Sequence, residues 1–480
     1  MSPATPGPPG PTPGPGLDVL REAWAGGTAA PEDVVDGVLA RVAATAADHA
    51  WTSTFGRTAL LARARAVVGH PGPLAGIPIG VKDSIDVAGL PTTVGCPAYA
   101  YTPSASATAV RNAERAGAVV VGKHNLDQFA TGLVGTRSPY GRGESVYGQG
   151  MVSGGSSSGS ALAVARGVVP VAIATDTAGS GRVPAALNGI VGVKPTRGLV
   201  STVGLVPACR TLDCVTVMAA GVGDALTLLA AIAGPDDAEP AGPPRSLAPP
   251  PPPGTRFRIG LPATSTLEFF GDGVMRSAHL AARAGAVARL GADAVEVDLT
   301  PFTAAGDLLY EGPWVAERLA VFGDFMADHP GAIEPVVEQV IRSGERFSAV
   351  DAFNALYRLA DLRHAVAPLW RDVDAVLVPT IGTTFTHAEV DADPVRRNLM
   401  LGRYTQSGNL LDLAAVALPL GTTPDGRPLG VSLLGPAGSD LTLAAIAADL
   451  LGEPAAPGPG VLAASADAGL LPTPLQEAAA

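Results

Sequence analysis

The chain has 480 residues, 47% of them hydrophobic and 16% charged, so it can bury a sizeable core and is not disordered throughout. Its 44 acidic residues exceed its 32 basic residues, giving a net charge of -12 without the basic excess that binds a nucleic-acid backbone. Nucleic acid is therefore not expected as a partner. The three cysteines, Cys96, Cys209 and Cys214, form no disulfide framework, which favours a reducing, cytoplasmic compartment.

The predicted elements alternate between helices and short apolar strands. Their order along the chain is: helices over 31–48 and 57–68; short apolar runs alternating with helical or Gly/Ser-rich segments from 76 to 198; a strand, a helix over 274–290 and a second strand; helices near 313–327 and 349–366; strands DAVLVPT, VALPLG and GVSLLG; and a closing helix over 442–451. This alternation predicts an α/β fold with a layered sheet.

The ends of the chain differ in composition from its middle. Residues 1–16 are a Pro/Gly run without the basic and apolar regions of a signal peptide, so a disordered lead is expected there. Residues 453–480 are rich in Pro, Ala and Gly and are expected to form a flexible tail. Residues 17–452 are expected to form a single domain, with a Pro-rich excursion at 240–254.

The stretch that most resembles a membrane span runs from Cys214 to Gly234. Asp224 lies at its centre, where inserting a carboxylate costs about 3 kcal/mol. A strand, a turn at Gly221 and a helix capped by Asp224 account for the stretch better. No membrane span is expected.

Two short motifs have weak support. Gly155–Gly159 fits the G-x-S-x-G elbow of serine hydrolases, which also requires a later acid and a histidine. None of the downstream histidines stands in a distinctive context: His279, His329, His364 and His387. Taken alone, the Gly/Ser run favours a flexible loop.

The other weak motif, Gly117–Lys123, matches part of a phosphate-binding loop. The residue after the lysine is His124 rather than Ser or Thr, and the four intervening residues favour a strand, so nucleotide binding is not expected. No His/Cys cluster has the spacing of metal ligands, and no metal is predicted.

Three stretches, considered together, contain the residues that are expected to act in catalysis. They are GVKDSID at 80–86, SGGSSSGS at 153–160 and TDTAGSGR at 175–182. They resemble the amidase signature family, with its lysine near a strand end, its Gly/Ser-rich loop and a nucleophilic serine about two dozen residues later. The resemblance covers roughly residues 75–435. It implies an α/β amidase signature fold with a central mixed β-sheet flanked by helices on both faces.

The resemblance also implies a catalytic triad. Ser180 is the nucleophile, and Ser156, after a cis peptide bond, relays a proton between Ser180 and Lys82. Lys82 can act as a base only when neutral, so its pKa must fall from about 10.4 towards 7 or 8, which burial can supply. Arginine cannot replace it, and the only other lysines, Lys123 and Lys194, are predicted to be structural.

Further residues around the nucleophile follow from the same resemblance. An oxyanion is expected to be stabilised by four backbone N–H groups, those of Thr177, Ala178, Gly179 and Ser180. Asp176 and Arg182 are expected to pair behind the nucleophile, with Thr175 in the same network.

Longer stretches resemble the allophanate hydrolase branch of the family. They are 125–141, 176–198, 206–214 and LLYEGPWVAER at 308–318. This resemblance implies that Tyr310 and Arg318 bind a substrate carboxylate, for which a guanidinium is well suited. The alternative for Arg318 is a surface ion pair with Glu317 or Glu311.

The implied reaction is hydrolysis of the small substrate allophanate to ammonia and N-carboxycarbamate, without a cofactor. The resemblance also suggests a homodimer. Long allophanate hydrolases carry a further C-terminal domain, which this chain is expected to lack. The alternatives are an amidase for another small amide, an amidotransferase A-type subunit, or, on the same fold, a catalytically silent scaffold. A serine hydrolase that uses the Gly/Ser loop with a histidine is a further alternative.

Overall fold

A single mixed β-sheet organises the computed structural model, which describes residues 13–236, 238 and 247–453. Its 11 strands are β1 (Trp51–Thr54), β2 (Pro78–Lys82), β3 (Val119–His124), β4 (Val171–Asp176), β5 (Val191–Lys194), β6 (Cys214–Ala219), β7 (Arg258–Pro262), β8 (Asp293–Val297), β9 (Ala375–Pro379), β10 (Leu413–Thr422) and β11 (Pro428–Pro436). Their order across the sheet is β1-β3-β2-β4-β6-β5-β10-β11-β9-β7-β8. Strand β2 is parallel to β3 and β4, and β7 is parallel to β8 and β9, whereas the other neighbours are antiparallel.

Helices connect these strands. The α-helices of the described residues are α1 (Leu17–Ala25), α2 (Pro31–Ala44), α3 (Arg57–Ala66), α4 (Thr108–Arg115), α5 (Ser158–Ala165), α6 (Arg182–Leu187), α7 (Val222–Ile232), α8 (Gly273–Leu290), α9 (Thr300–Asp307), α10 (Val315–Asp328), α11 (Pro335–Arg342), α12 (Ala349–Val366), α13 (His387–Ala392), α14 (Arg396–Gly402), α15 (Gln406–Leu410) and α16 (Asp440–Leu451). Among these residues no helix is long and apolar enough to cross a membrane.

Both faces of the sheet are buried. Successive side chains of a strand point to opposite faces. On β4, Val171 and Ile173 therefore pack into one apolar cluster, whereas Ala172 and Ala174 pack into another. Strands buried on both faces have nearly continuous apolar sequences, such as VPVAIA. The predicted fold class, a mixed sheet with helices on both faces, is confirmed.

Most predicted elements lie within a few residues of the observed ones. The elements that were not predicted are strand β1 and helices α1, α9, α11, α13, α14 and α15. Asp224 does not cap α7, whose N-cap is Gly221; its carboxylate instead accepts the backbone N–H of Leu17 at 3.1 Å. As predicted, the apolar residues of Gly117–Lys123 form a strand, β3, rather than a phosphate-binding loop.

The segments expected to be mobile are only partly described. Residues 1–12 of the lead, 240–246 of the excursion and 454–480 of the tail lie outside the described residues. The last residue described, Glu453, accepts the backbone N–H of Val222 at 2.8 Å and so holds the start of α7. Within the excursion, Leu247 is buried, and the Ala248 N–H donates to Gly438 O at 2.8 Å.

The parallel pairing of β2 with β4 brings residues from the ends of both strands close together. Parallel strands end at the same edge of a sheet, and the register pairs Val81 with Ile173. Lys82 at the end of β2 therefore lies beside the last residues of β4. The turn from β4 into α6 leaves from this edge and carries Ser180.

Candidate active site

Lys82 is the buried centre of the site. Its side chain is fully buried, and its Nζ donates to Ser156 Oγ at 2.7 Å and to Thr175 Oγ1 at 2.8 Å. Both acceptors are neutral hydroxyl groups, which solvate the nitrogen in either protonation state. The structure thus brings together three residues that are widely separated in the sequence.

Burial lowers the pKa of Lys82 from 10.5 to about 7. The carboxylates of Asp127, Asp176 and Asp213 oppose this shift, and the guanidinium of Arg318 adds to it. Desolvation prevails because the low-dielectric surroundings penalise the charged form. Near pH 7 a large fraction of Lys82 is therefore neutral and able to accept a proton.

The Gly/Ser-rich loop is fixed against both Lys82 and the turn that carries Ser180. The Gly155–Ser156 peptide bond is cis, as the resemblance implied. Ser157 Oγ donates to the carbonyl oxygen of Thr175 at 3.1 Å, and the Ser157 N–H donates to that of Ser180 at 3.4 Å. Neither Ser156 nor Ser157 has a histidine as a hydrogen-bond partner among the described residues, which removes the support for a histidine-dependent hydrolase.

The Asp127 carboxylate packs against Gly155 of this loop, a contact that sequence reasoning missed. Its Oδ2 accepts the N–H of Gly135 at 3.0 Å, and its Oδ1 accepts that of Arg137 at 2.9 Å. A Cβ on Gly155 would lie 2.0 Å from Asp127 Oδ2, so this close approach requires a glycine. Asp127 lies within the stretch 125–141 that carried the resemblance, but the sequence itself gave no sign of the contact.

Asp176 organises the turn that presents Ser180, whose residue surface is only 2% exposed. One carboxylate oxygen accepts the N–H of Gly179 at 2.8 Å, and the other accepts that of Gly181 at 3.0 Å. Arg182 donates to both oxygens at 2.9 Å from a fully buried position. Burial raises the pKa of Asp176, but Arg182 and the amides outweigh it and lower the pKa to about 2.

Gly179 has a structural role that limits its expected catalytic one. Its φ is +127°, and a Cβ there would lie 2.1 Å from Thr405 Oγ1. Thr405 in turn donates to Ala178 O at 2.7 Å, which fixes the turn against the segment before α15. Because the Gly179 N–H already donates to Asp176, the four-donor oxyanion hole loses one of its expected members.

Asp213 supports the other side of the turn, and sequence reasoning missed it too. It accepts the hydroxyl of Thr177 at 2.5 Å and the N–H of Ala208 at 2.8 Å. Burial raises its pKa to about 6, although these hydrogen bonds and Arg318 lower it. Only the fold reveals its proximity to Thr177, because the two residues are 36 positions apart.

Arg318 projects from the first turns of α10 and is 1% exposed. Its Nε donates to Thr131 Oγ1 at 3.1 Å, and its Nη1 donates to Cys209 Sγ. Among the described residues no carboxylate lies within ion-pair distance of Arg318. The alternative of a surface ion pair is therefore wrong, and Glu317 instead accepts the N–H of Thr211 at 3.0 Å.

Tyr310 lies in the segment that precedes α10, as expected. Its ring centroid is 5.8 Å from the guanidinium carbon of Arg318. Tyr310 also lines a cavity of about 260 Å³ together with Gln406 and Arg403. The tyrosine and the arginine thus lie side by side.

The other two lysines are structural, as predicted. Lys123 forms a buried ion pair with Asp83 at 2.9 Å, and Lys194 donates to the carbonyl oxygens of Leu413 at 2.5 Å and Pro195 at 3.1 Å. Neither contacts Ser156 or Ser180.

The fold and the contact between Lys82 and Ser156 are features of a class of enzymes that act on amide bonds. The chain belongs to the amidase family, whose model matches residues 33–444. It is 44% identical to urea amidolyase of Lachancea kluyveri over 78% of this chain and 20% of that protein, so it spans about a fifth of that relative's length. It is 32% identical to the A-type subunit of glutamyl-tRNA(Gln) amidotransferase of Natronomonas pharaonis over 78% of this chain and 94% of that one. Among solved structures, allophanate hydrolase of Kluyveromyces lactis superposes with a TM-score of 0.85 at 37% identity, covering 92% of this chain and 72% of that one.

Proposed function

We propose that this protein is an amide hydrolase that releases ammonia from allophanate, a small urea-like carboxylate. The observation that carries the proposal is the buried guanidinium of Arg318, which has no carboxylate partner among the described residues. It lies in a chain of the amidase family whose Lys82 contacts Ser156.

A buried cation without an anion is costly, so such an arrangement favours an anionic ligand. Two neutral groups, Thr131 and Cys209, accept hydrogen bonds from Nε and Nη1 of the guanidinium. A substrate carboxylate would complete the coordination of Arg318, with Tyr310 beside it. Allophanate has one carboxylate and one terminal amide, which would place the scissile group towards Ser180.

In the first half of the reaction Ser180 Oγ attacks the terminal amide carbonyl. The Ser180 proton passes to Ser156, and the Ser156 proton passes to neutral Lys82. The oxyanion that forms is stabilised by backbone N–H groups, for which Thr177, Ala178 and Ser180 are the candidates.

In the second half the tetrahedral intermediate collapses. The C–N bond breaks, and the proton held by Lys82 returns through Ser156 to the leaving nitrogen, which departs as ammonia. Water then attacks the acyl-enzyme and gives up a proton to the same relay. The ester bond to Ser180 breaks as the relay returns this proton to Ser180 Oγ, which yields N-carboxycarbamate, the free serine and neutral Lys82.

The similar proteins support this substrate, since one is a urea amidolyase and another an allophanate hydrolase. Resemblance to a glutamyl-tRNA(Gln) amidotransferase keeps glutamine as the second candidate, and glutamine also has a carboxylate for Arg318. Small amides without a carboxylate, such as biuret, would lack this contact with Arg318.

The setting of the enzyme is part of the proposal. Cys96, Cys209 and Cys214 are all free and buried, which supports a reducing, cytoplasmic compartment. We also propose a homodimer that acts on a small molecule without a cofactor. N-carboxycarbamate would decompose spontaneously or be processed by another protein.

The test is ammonia release by the purified chain from allophanate, malonamate, glutamine and biuret. Allophanate should be the preferred substrate, with loss of turnover in Ser180→Ala and a large increase in KM in Arg318→Met. Preference for glutamine would replace the proposal with the amidotransferase function. Full activity of Arg318→Ala on allophanate would refute the carboxylate contact while leaving amide hydrolysis intact.

A further inference from the structure

The guanidinium of Arg318 is held by two neutral side chains whose own hydrogen atoms are already engaged. Thr131 accepts from Arg318 Nε, and its hydroxyl donates to Phe129 O at 3.1 Å. Cys209 accepts from Arg318 Nη1, and its thiol donates to Trp314 O at 3.6 Å. Each group therefore directs a lone pair towards the arginine.

These contacts leave part of the guanidinium available. Arginine has five N–H donors in a rigid plane, and the two contacts use one on Nε and one on Nη1. Among the described residues, no acceptor contacts Arg318 Nη2. The two neutral contacts fix the plane of the fork and leave the Nη2 donors for a ligand.

The neutrality of the two partners matters as much as their positions. A carboxylate at either position would form a bidentate pair with Arg318 and compete with an anionic ligand. A hydroxyl and a thiol orient the same group without compensating its charge. The full positive charge is thus retained in a buried site, where its effect on an anion is strongest.

Both partners are themselves held rigidly. Thr131 and Cys209 are fully buried, and the Cys209 N–H donates to the carboxylate of Asp213, with Oδ2 at 3.1 Å. Trp314 is the N-cap of α10, the same helix that carries Arg318 one turn later. The thiol therefore bridges the start of the helix and its arginine.

We propose that Thr131 and Cys209 are positioning residues that set the preference for a carboxylate-bearing substrate by orienting Arg318 without neutralising it. This inference rests on the proposed function, because it takes allophanate as the ligand of Arg318. Neither residue contacts the reacting atoms; both act through the arginine.

The experiment compares KM and kcat for allophanate in matched pairs of variants. Thr131→Val and Cys209→Ala remove the acceptors and should raise KM about 10-fold, with kcat within about threefold of the parent, because one hydrogen bond to a charged group is lost. Thr131→Ser and Cys209→Ser keep an acceptor and should stay near the parent. Melting temperatures check that each variant is folded.

A double-mutant cycle separates positioning from a general packing effect. In an Arg318→Met background, Thr131→Val should leave kcat/KM for allophanate unchanged within twofold. An equal loss in both backgrounds would overturn the inference, as would unchanged KM values in Thr131→Val and Cys209→Ala.

Cys209→Asp tests neutrality directly. The new carboxylate should pair with Arg318 and raise KM for allophanate at least 100-fold, whereas an unchanged KM would show that charge compensation is irrelevant. If this variant does not fold, the double-mutant cycle with Arg318→Met tests the inference by itself. Absence of allophanate turnover in the parent would refute the proposed function and this inference together, whereas turnover in the parent with a failed cycle would refute only the inference.

Discussion

The side-chain nitrogen of Lys82 lies 2.7 Å from Ser156 Oγ, and both residues are fully buried. The contact joins the end of a central strand to a loop 74 positions later in the sequence. It is possible because β2 and β4 run parallel and the Gly/Ser loop packs over their shared edge. The same burial that makes the contact also makes the lysine a base at neutral pH.

Replacing Lys82 should abolish most activity. Lys82→Arg keeps the positive charge but cannot accept a proton, and Lys82→Met removes the charge, so both should lower kcat/KM for allophanate at least about 100-fold. Steady-state ammonia release measures this. Binding of malonamate should persist in both variants, because Arg318 is unaffected. Near-parental turnover in Lys82→Arg would refute the proton-accepting role.

The pH dependence of activity should follow the lowered pKa of Lys82. The neutral form is the active one, so kcat/KM should rise with pH and level off above an apparent pKa of about 7. The measurement is kcat/KM for allophanate between pH 5 and 9, with buffers that do not bind the site. A profile that stays flat down to pH 5 would contradict this assignment.

The lowered pKa of Lys82 should also affect how the free energy of unfolding depends on pH. The folded-state pKa of Lys82, about 7, lies below its unfolded value of 10.5, so the unfolded chain binds more protons between these values. In this window the free energy of unfolding of the parent should rise with pH relative to that of Lys82→Met, by at most about 1.4 kcal/mol per pH unit. Denaturant titrations of both proteins at several pH values above 7 give the difference. A constant difference would mean that the lysine is not desolvated.

The buried pair of Asp176 and Arg182 should contribute far more to stability than an exposed pair. Asp176→Asn leaves the Arg182 charge without its carboxylate and should cost about 3 to 5 kcal/mol at pH 7. Because the pKa of Asp176 is lowered to about 2, the contribution should be complete above pH 4 and lost as the pH falls towards 2. The exposed pair of Arg57 and Asp36 is the control, and Asp36→Asn should barely change the melting temperature.

Gly179 should tolerate no side chain. Gly179→Ala places a Cβ against Thr405 and a non-glycine residue at a φ of +127°, so both the melting temperature and kcat should fall. Gly285→Ala is the matched control, because its Cβ would enter open space on α8; it should stabilise the protein by about 0.5 to 1 kcal/mol. Equal effects of the two substitutions would show that the contact with Thr405 is unimportant.

The sequence by itself determined the fold class and predicted a triad of Lys82, Ser156 and Ser180. Continuous apolar runs such as VPVAIA predict strands that are buried on both faces, and they form the centre of the sheet. The scarcity of lysine made Lys82 conspicuous, and the spacing of Ser156 and Ser180 carried the family resemblance.

Only the tertiary structure decided the supporting contacts. Asp127, Thr131, Cys209 and Asp213 lie within the stretches 125–141 and 206–214 that carried the resemblance. No spacing in the sequence, however, indicates their contacts with Gly155, Arg318 and Thr177. The Gly179 N–H could be counted as free in the sequence, yet the fold directs it to Asp176. Arg318 is the sharpest case: a local pattern allows a surface ion pair with Glu317, but packing of α10 buries the guanidinium between a hydroxyl and a thiol. Sequence patterns report which side of an element is buried, whereas the partner of a buried charge depends on how distant elements pack.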